Sequence, residues 1–189
     1  MSKSIVLVIS APSGAGKTTQ EELLRQRRGF VNSISDTTRP PRPGEVDGVH
    51  YNFIKPAEFN HRAGNCAYAE HAVVFGYHYG TPSKVIFSAL ETGTNLLLTI
   101  DTMGYRSIKN HTNRQLAATV QGIFLMPPSL VVLEERLRSR GGMSEEKILR
   151  RLNDAPTEMA RASEYDLIIT THDIEHTYAQ IVKFIEKHS

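Results

Sequence analysis

Ile5-Val6-Leu7-Val8-Ile9-Ser10-Ala11-Pro12-Ser13-Gly14-Ala15-Gly16-Lys17-Thr18 runs from branched apolar residues into a glycine-rich turn, then a lysine and a threonine. The apolar block has no polar face, which predicts a buried strand of a parallel sheet. A helix is expected over residues 18–28. Between them, residues 11–18 match the phosphate-binding pattern G-x-x-x-x-G-K-[ST], except that Ala11 stands in the first glycine's place. The chemistry behind that pattern is specific. Glycines let backbone N–H groups point inward and cradle phosphate oxygens, the lysine reaches the β- and γ-phosphates, and the hydroxyl after it ligates Mg²⁺. Here Ala11, Pro12, Ser13, Gly14, Ala15 and Gly16 would form the cradle, Lys17 would supply the charge and Thr18 the metal ligand. A plain strand-to-helix turn has little structural use for Gly-Lys-Thr.

Outward from this segment, strands are expected at residues 31–35, 51–54, 95–100, 120–126 and 167–169, with β-structure over 66–79 turning at Gly76. Helices are expected after Pro56, after Thr81-Pro82 as N-cap and first-turn proline, after Ser129 and Ser144, and over residues 175–187. Residues 36–50, with three prolines and two glycines, read as loop. Pro156 should split the helix after Ser144 near Ala155, because an interior proline removes a hydrogen bond and kinks the axis. Strands alternating with helices imply a parallel sheet covered on both faces. Residues 36–80 break the alternation and read as an inserted lobe.

The 189 residues are 22% charged and 40% apolar with a net charge of +2, which suits one domain with a core and not a disordered chain. That near-balance argues against a nucleic-acid or membrane-surface binder. A single cysteine, Cys66, excludes an internal disulfide and a cysteine-rich zinc site and fits a reducing compartment. No apolar run near the start is long enough for a signal core or a membrane span. The expectation is therefore an intracellular α/β domain.

Three further constellations carry chemistry. Arg39 and Arg42 lie three apart in the proline-stiffened run 39–43, so their guanidinium forks converge on one anion or form a solvated basic loop. Glu70 is the one carboxylate in an aromatic segment with Tyr68, Tyr77 and Tyr79, placed to accept N–H groups from a purine edge or to sit in an ordinary packed hairpin. Arg136 and Arg140 share a helical face, and with Arg151 they frame a glycine-interrupted segment that reads as a lid over a triphosphate or an exposed helical hairpin. Asp101 closes a leucine-rich strand, where an acid serves Mg²⁺ or caps the next helix. The histidines show no metal-ligand spacing.

These motifs, in this order, resemble the guanylate kinase family over nearly the whole chain. The run Thr37-Thr38-Arg39-Pro40-Pro41-Arg42-Pro43-Gly44-Glu45, followed later by Tyr79-Gly80-Thr81, is its most specific part. The resemblance implies a phosphate-loop core with a parallel sheet (residues 1–35, 82–135 and 152–189), a mixed β GMP-binding lobe (36–81) and a helical lid (136–151). It implies that Ser35, Glu70, Thr81 and Asp101 read guanine, and that Arg39, Arg42, Tyr51 and Tyr79 hold the GMP phosphate. Glu45 matches a loop acid with a structural or guanine-side role. Lys17, Thr18, Arg136, Arg140 and Arg151 match the ATP-side and transfer residues. The implied reaction is phosphorylation of GMP and dGMP by ATP with Mg²⁺, in the cytoplasm, with no nucleic acid or membrane and with the oligomeric state open.

Two other readings stand beside it. One is a non-catalytic guanylate-kinase-like module holding an anionic peptide, against which Gly16-Lys17-Thr18 argues. The other is a phosphate-loop kinase of a phosphorylated sugar, against which Glu70 with Ser35 and Thr81 argues. The chain also departs from the family pattern: Ala11 for glycine, Thr99 for an acid two residues before Asp101, Thr171-His172-Asp173 for Asn-Asp-Asp, Pro82 for a small hydroxyl residue, and polar Gln20 and Glu21 where the first helix is usually apolar.

Overall fold

Val6–Ser10 forms strand β1, every residue of it buried. On one side it pairs in parallel with Leu96–Leu98 (β7), on the other with Val120–Met126 (β8). The edges are Val31–Asn32 (β2) beside β7 and Leu167–Thr170 (β9) beside β8, giving the order β2-β7-β1-β8-β9. The computed structural model describes residues 4–74, 76–139 and 141–188.

Alternate residues of these strands build two separate cores, as a sheet covered on both faces requires. Val6, Val8, Leu96, Leu98, Val120 and Phe124 pack against Ile86 and Ala89 of helix Ser83–Thr92 (α3), Tyr105 and Ile108 of Thr102–Lys109 (α4), and Leu116 of Arg114–Thr119 (α5). Leu7, Ile9, Leu97, Ile123 and Leu125 pack against Leu24 of Lys17–Arg28 (α1) and Ile181, Phe184 and Ile185 of Ile174–His188 (α8). The three-layer α/β architecture read from the sequence is the one observed.

The second sheet is mixed, as expected, in the order β4-β3-β6-β5. Tyr68–Val74 (β5) and Tyr77–Pro82 (β6) form an antiparallel hairpin. Asp36–Thr37 (β3) pairs antiparallel with β6 and parallel with Asn52–Phe53 (β4). Helix Pro56–Gly64 (α2) follows, with proline at its start. Asp36 is fully buried and anchors the sheet through side chains: it accepts from Asn52 at 2.8 Å, Arg62 at 2.5 Å and Tyr68 at 2.8 Å.

Leu130–Ser139 (α6) and Glu145–Met159 (α7) form a helical pair. Leu133, Leu137, Ile148 and Ala155 bury against Ala15 of the glycine-rich loop. The Ser129 hydroxyl caps α6 by accepting from Val132 N, whereas Ser144 sits at the N-cap of α7 without a side-chain bond.

Four local expectations are corrected. Residues 36–37 are strand, not loop: their backbone pairs with β4 and β6, and Asp36 side-chain bonds add to it. Thr81 is the fifth residue of β6, not an N-cap, since its hydroxyl is committed to Glu70. Pro156 does not split α7. It lies in the last turn, where Ala155 and Met159 pack with the α6–α7 cluster and the Pro156 carbonyl still accepts from Ala160 N at 3.0 Å. Helix α4 follows Asp101 as the capping alternative had it, and α5 stands where the sequence pattern predicts no helix.

Candidate active site

All five parallel strands end on the same edge, and that edge is where the glycine-rich loop emerges from β1, the usual ligand side of such a sheet. Gly14 and Gly16 have φ of 102° and 98°, so the loop needs glycine there, and a Cβ on Gly14 would also lie 3.1 Å from Leu137. Ala11 is not among the positive-φ residues, which is why alanine fits the first position. Helix α1 begins at Lys17 with no acidic residue in its first turn, so its N-terminal dipole and free N–H groups face the loop unopposed. Lys17 makes no ion pair among the described residues, and Thr18 is exposed beside it. Arg151 of α7 donates to Ser13 Oγ at 2.6 Å, and Arg136 of α6 donates to Thr171 Oγ1 at 3.0 Å and its carbonyl at 2.7 Å. A cavity of about 450 Å³ lies between Gly14, Gly16, Gln20, Arg136, Thr171 and His172. Arg140, the third expected arginine, lies outside the described residues.

Across the cleft, the lobe builds a polar pocket around Glu70 on β5, which is 9% exposed. Its Oε1 accepts from Thr81 N at 3.1 Å and Thr81 Oγ1 at 2.6 Å, and Thr81 Oγ1 lies 3.3 Å from Ser35 Oγ. Oε2 has no hydrogen bond among the described residues. Burial pushes the Glu70 carboxyl above its usual range, the Thr81 hydroxyl pulls it back, and the nearby charge of Asp101 adds to the rise. Asp101 itself caps α4, accepting from Gly104 N at 2.8 Å.

Below this pocket lies a cationic subsite. Arg39 is 8% exposed and uses three of its five N–H donors within the protein: Nε donates to Tyr79 Oη at 3.1 Å, Nη1 to the Pro40 carbonyl at 2.7 Å and Nη2 to Glu45 at 2.8 Å. Tyr51 meets Tyr79 edge-on at 5.8 Å, and the Arg39 guanidinium lies 5.7 Å from the Tyr51 ring. Glu45 also accepts from Arg42 N at 2.7 Å, so both its oxygens brace the loop and orient Arg39. The Arg39 hydrogen bond, with the Arg42 N–H, holds the Glu45 carboxyl down at about 2. The Arg42 side chain is exposed.

The family model for guanylate kinase matches residues 3–188. The chain belongs to the guanylate kinase family. It is 42% identical to a guanylate kinase of Rickettsia bellii over 180 residues, 95% of this chain and 92% of that one. It is 40% identical to that of Escherichia coli over 178 residues, covering 93% and 84%. A crystal structure of guanylate kinase from Anaplasma phagocytophilum matches with a TM-score of 0.73 and 33% identity, covering all of this chain and 87% of that one.

Within this guanylate kinase fold, most residues expected at the acceptor side fall into two groups, Ser35, Glu70, Thr81 and Asp101, then Arg39, Glu45, Tyr51 and Tyr79, while Arg42 joins the second through its backbone N–H alone. The donor-side residues do not form one cluster, because Arg136 and Arg151 are each tied to a different neighbour. Two contributors carry no signal in the sequence. Gly104 has no side chain, and a Cβ there would fall 3.1 Å from Glu70 Oε2, so the glycine keeps that oxygen open. Asp36, with Arg62 and Tyr68, fixes the strand between Ser35 and Thr37. Its carboxylate sits at no chemical spacing that would mark it.

Proposed function

We infer that this guanylate kinase family member transfers the γ-phosphoryl group of ATP to GMP, and to dGMP, which presents the same base and phosphate. The observation that carries the choice of acceptor is Glu70. Its Oε1 is filled by Thr81, while Oε2 waits in a buried pocket for a ligand offering N–H groups. Guanine offers N1–H and N2–H₂. Adenine offers an acceptor at N1 and would leave the carboxylate buried against a lone pair.

The monophosphate sits among Arg39, Arg42, Tyr51 and Tyr79, and the triphosphate in the loop with Lys17. The attacking atom is a phosphate oxygen, already anionic at neutral pH, so the chain needs no strong general base. It needs positive charge between two polyanions and exclusion of water. Lys17, Arg136, Arg140 and Arg151 supply charge on the donor side, Arg39 on the acceptor side. Residues 136–151 act as the lid, closing over the triphosphate when both nucleotides are bound. Mg²⁺ accompanies ATP and offsets phosphate charge. The residues fit it: the Thr18 hydroxyl is an exposed hard oxygen beside Lys17 that would hold the ion. The enzyme's place is the cytoplasm, with the nucleotide pool it draws on. Among the described residues no helix is long and apolar enough to cross a membrane.

A coupled assay of ADP release across GMP, dGMP, AMP, UMP and ribose phosphates tests the reading. Sites built to bond a particular group reject analogues lacking it by about 10⁴–10⁵. AMP or a sugar phosphate turned over within tenfold of GMP would remove Glu70 from the role of guanine reader.

A further inference from the structure

Glu21 is a carboxylate in a place that favours none. It lies on α1 and is 9% exposed, and its Oε1 is buried with no hydrogen-bond partner among the described residues. Burial is the largest influence on it and raises its pKa, opposed by the charges of Lys17 and Arg25 and a hydrogen bond from Thr99. Among the described residues it forms no ion pair closer than 4.0 Å. A leucine at this position would serve stability better, because a buried acceptor left without a donor loses its hydration and gains nothing in return. A buried carboxylate oxygen with no donor is unusual enough to need an account.

The surroundings supply one. Glu21 is one helical turn after Lys17, on the same face, and the next residue after the loop's Lys17 is Thr18. Thr99, which bonds to Glu21, follows the carboxyl end of β7 and is exposed, so the carboxyl lies beneath a surface residue at the ligand edge of the sheet. That strand end runs directly beside the start of the glycine-rich loop: Val8 pairs with Leu98, and Ser10 Oγ donates to the Ile100 carbonyl at 3.3 Å. A negative charge beside a triphosphate repels it unless a cation lies between them. We propose that Glu21 is a positioning residue that makes triphosphate binding conditional on Mg²⁺, attracting the hydrated ion and disfavouring bare ATP. The inference rests on the donor-site reading above and adds to it a residue outside the phosphate loop.

Calorimetric binding of ATP, without GMP, in Mg²⁺ and in EDTA tests it apart from turnover. For Glu21→Gln the Kd in Mg²⁺ should rise about tenfold, the low end for a residue acting on a metal's outer ligands, while the Kd in EDTA should stay the same or fall. Glu21→Asp keeps the charge and should lie between. Glu21→Leu repeats the test in a background that needs no buried polar group, and should have a higher Tm than wild type. Equal shifts in Mg²⁺ and EDTA, or no shift in either, would overturn the proposal and leave Glu21 a structural residue. Failure of the wild type to bind ATP in Mg²⁺ would instead overturn the donor-site reading beneath it.

Discussion

Around Glu70 and Arg39 charged groups are held by protein partners, whereas Lys17 at the centre of the donor side has no ion pair among the described residues. On the acceptor side, Thr81 fills one oxygen of Glu70, Glu45 and Tyr79 hold Arg39, and Asp36 ties β3 to α2 and β5. On the donor side, Lys17 has no ion pair among the described residues, Glu21 Oε1 and Gln20 Oε1 are orphaned, and two glycines hold left-handed turns. Charge-assisted hydrogen bonds are the strong ones, and a connected set of them makes the lobe rigid before GMP arrives. The helical pair has its own bridge, Arg138 to Glu134 and Glu145, but Lys17 of the loop has no ion-pair partner among the described residues and would gain one from phosphate, with Arg136 and Arg151 turning from Thr171 and Ser13 toward it. Selectivity is therefore built into the protein's own bonds, and the reactive arrangement is completed by the ligand.

Lys17→Ala should break the donor side most severely. Removing one such donor costs about 10²–10³ in rate, with the circular dichroism spectrum unchanged because Lys17 holds no other element in place. Near-normal turnover would contradict the phosphate-loop reading. Glu70→Ala should act on the other side alone, lowering kcat/KM for GMP by about 10² through loss of two charged hydrogen bonds. The KM for ATP should not move.

Arg42→Lys and Arg136→Lys form a sharper pair. Each keeps its charge and loses the planar fork. Arg42→Lys should raise the KM for GMP about tenfold with that for ATP constant, and Arg136→Lys should do the reverse because Arg136 lines the donor cavity. Equal effects on both substrates would dissolve the division between the two sides.

Much of this division is legible in the sequence, and the reasons are local. Residues 5–18 announce their fold because an apolar strand, a glycine turn and Gly-Lys-Thr agree with one another. Arg39, Arg42, Tyr79 and Thr81 are readable from residue type at fixed spacing. Strand β4 falls inside the stretch 51–54 expected to be strand, but the two-residue β3 is not readable, since two residues have no period and the Asp36 side-chain bonds that anchor it join residues up to 32 apart. Thr81 looks like a cap because it precedes a proline and a helix, and only the opposite strand shows that its hydroxyl serves Glu70. Helix α4 is hidden behind Asp101, whose capping role competes with a metal role at the same spacing.

The titration of the two lobe carboxylates separates them. Glu45, held at about 2 by Arg39, keeps its charge across the working range. Glu70 is raised by burial, so in the folded protein it takes up a proton above the ordinary carboxylate value of 4.5. The sign follows from linkage: below 4.5 both folded and unfolded states are protonated and Glu70 contributes nothing, and as pH rises through its folded pKa the buried charge costs stability. Glu70→Gln should thus raise Tm at pH 8 and have no effect on Tm at pH 4. GMP binding should weaken as pH falls toward 5 in the wild type, beyond the weakening due to the phosphate's own titration near 6, which the variant retains. Gly104→Ala should have the smallest effect, a few-fold rise in KM for GMP as the new methyl crowds Glu70 Oε2.

Amide hydrogen exchange compares the two sides in one experiment. In the free protein, amides of residues 77–81 should already be protected, and those of residues 13–18 and 145–151 should exchange faster. An ATP analogue with Mg²⁺ and GMP together should slow exchange in the second set strongly and in the first set little, with GMP alone sparing the second set. Ligand-independent exchange at residues 13–18 and 145–151, or a larger slowing in the lobe than in the loop, would contradict a donor side assembled by its ligand.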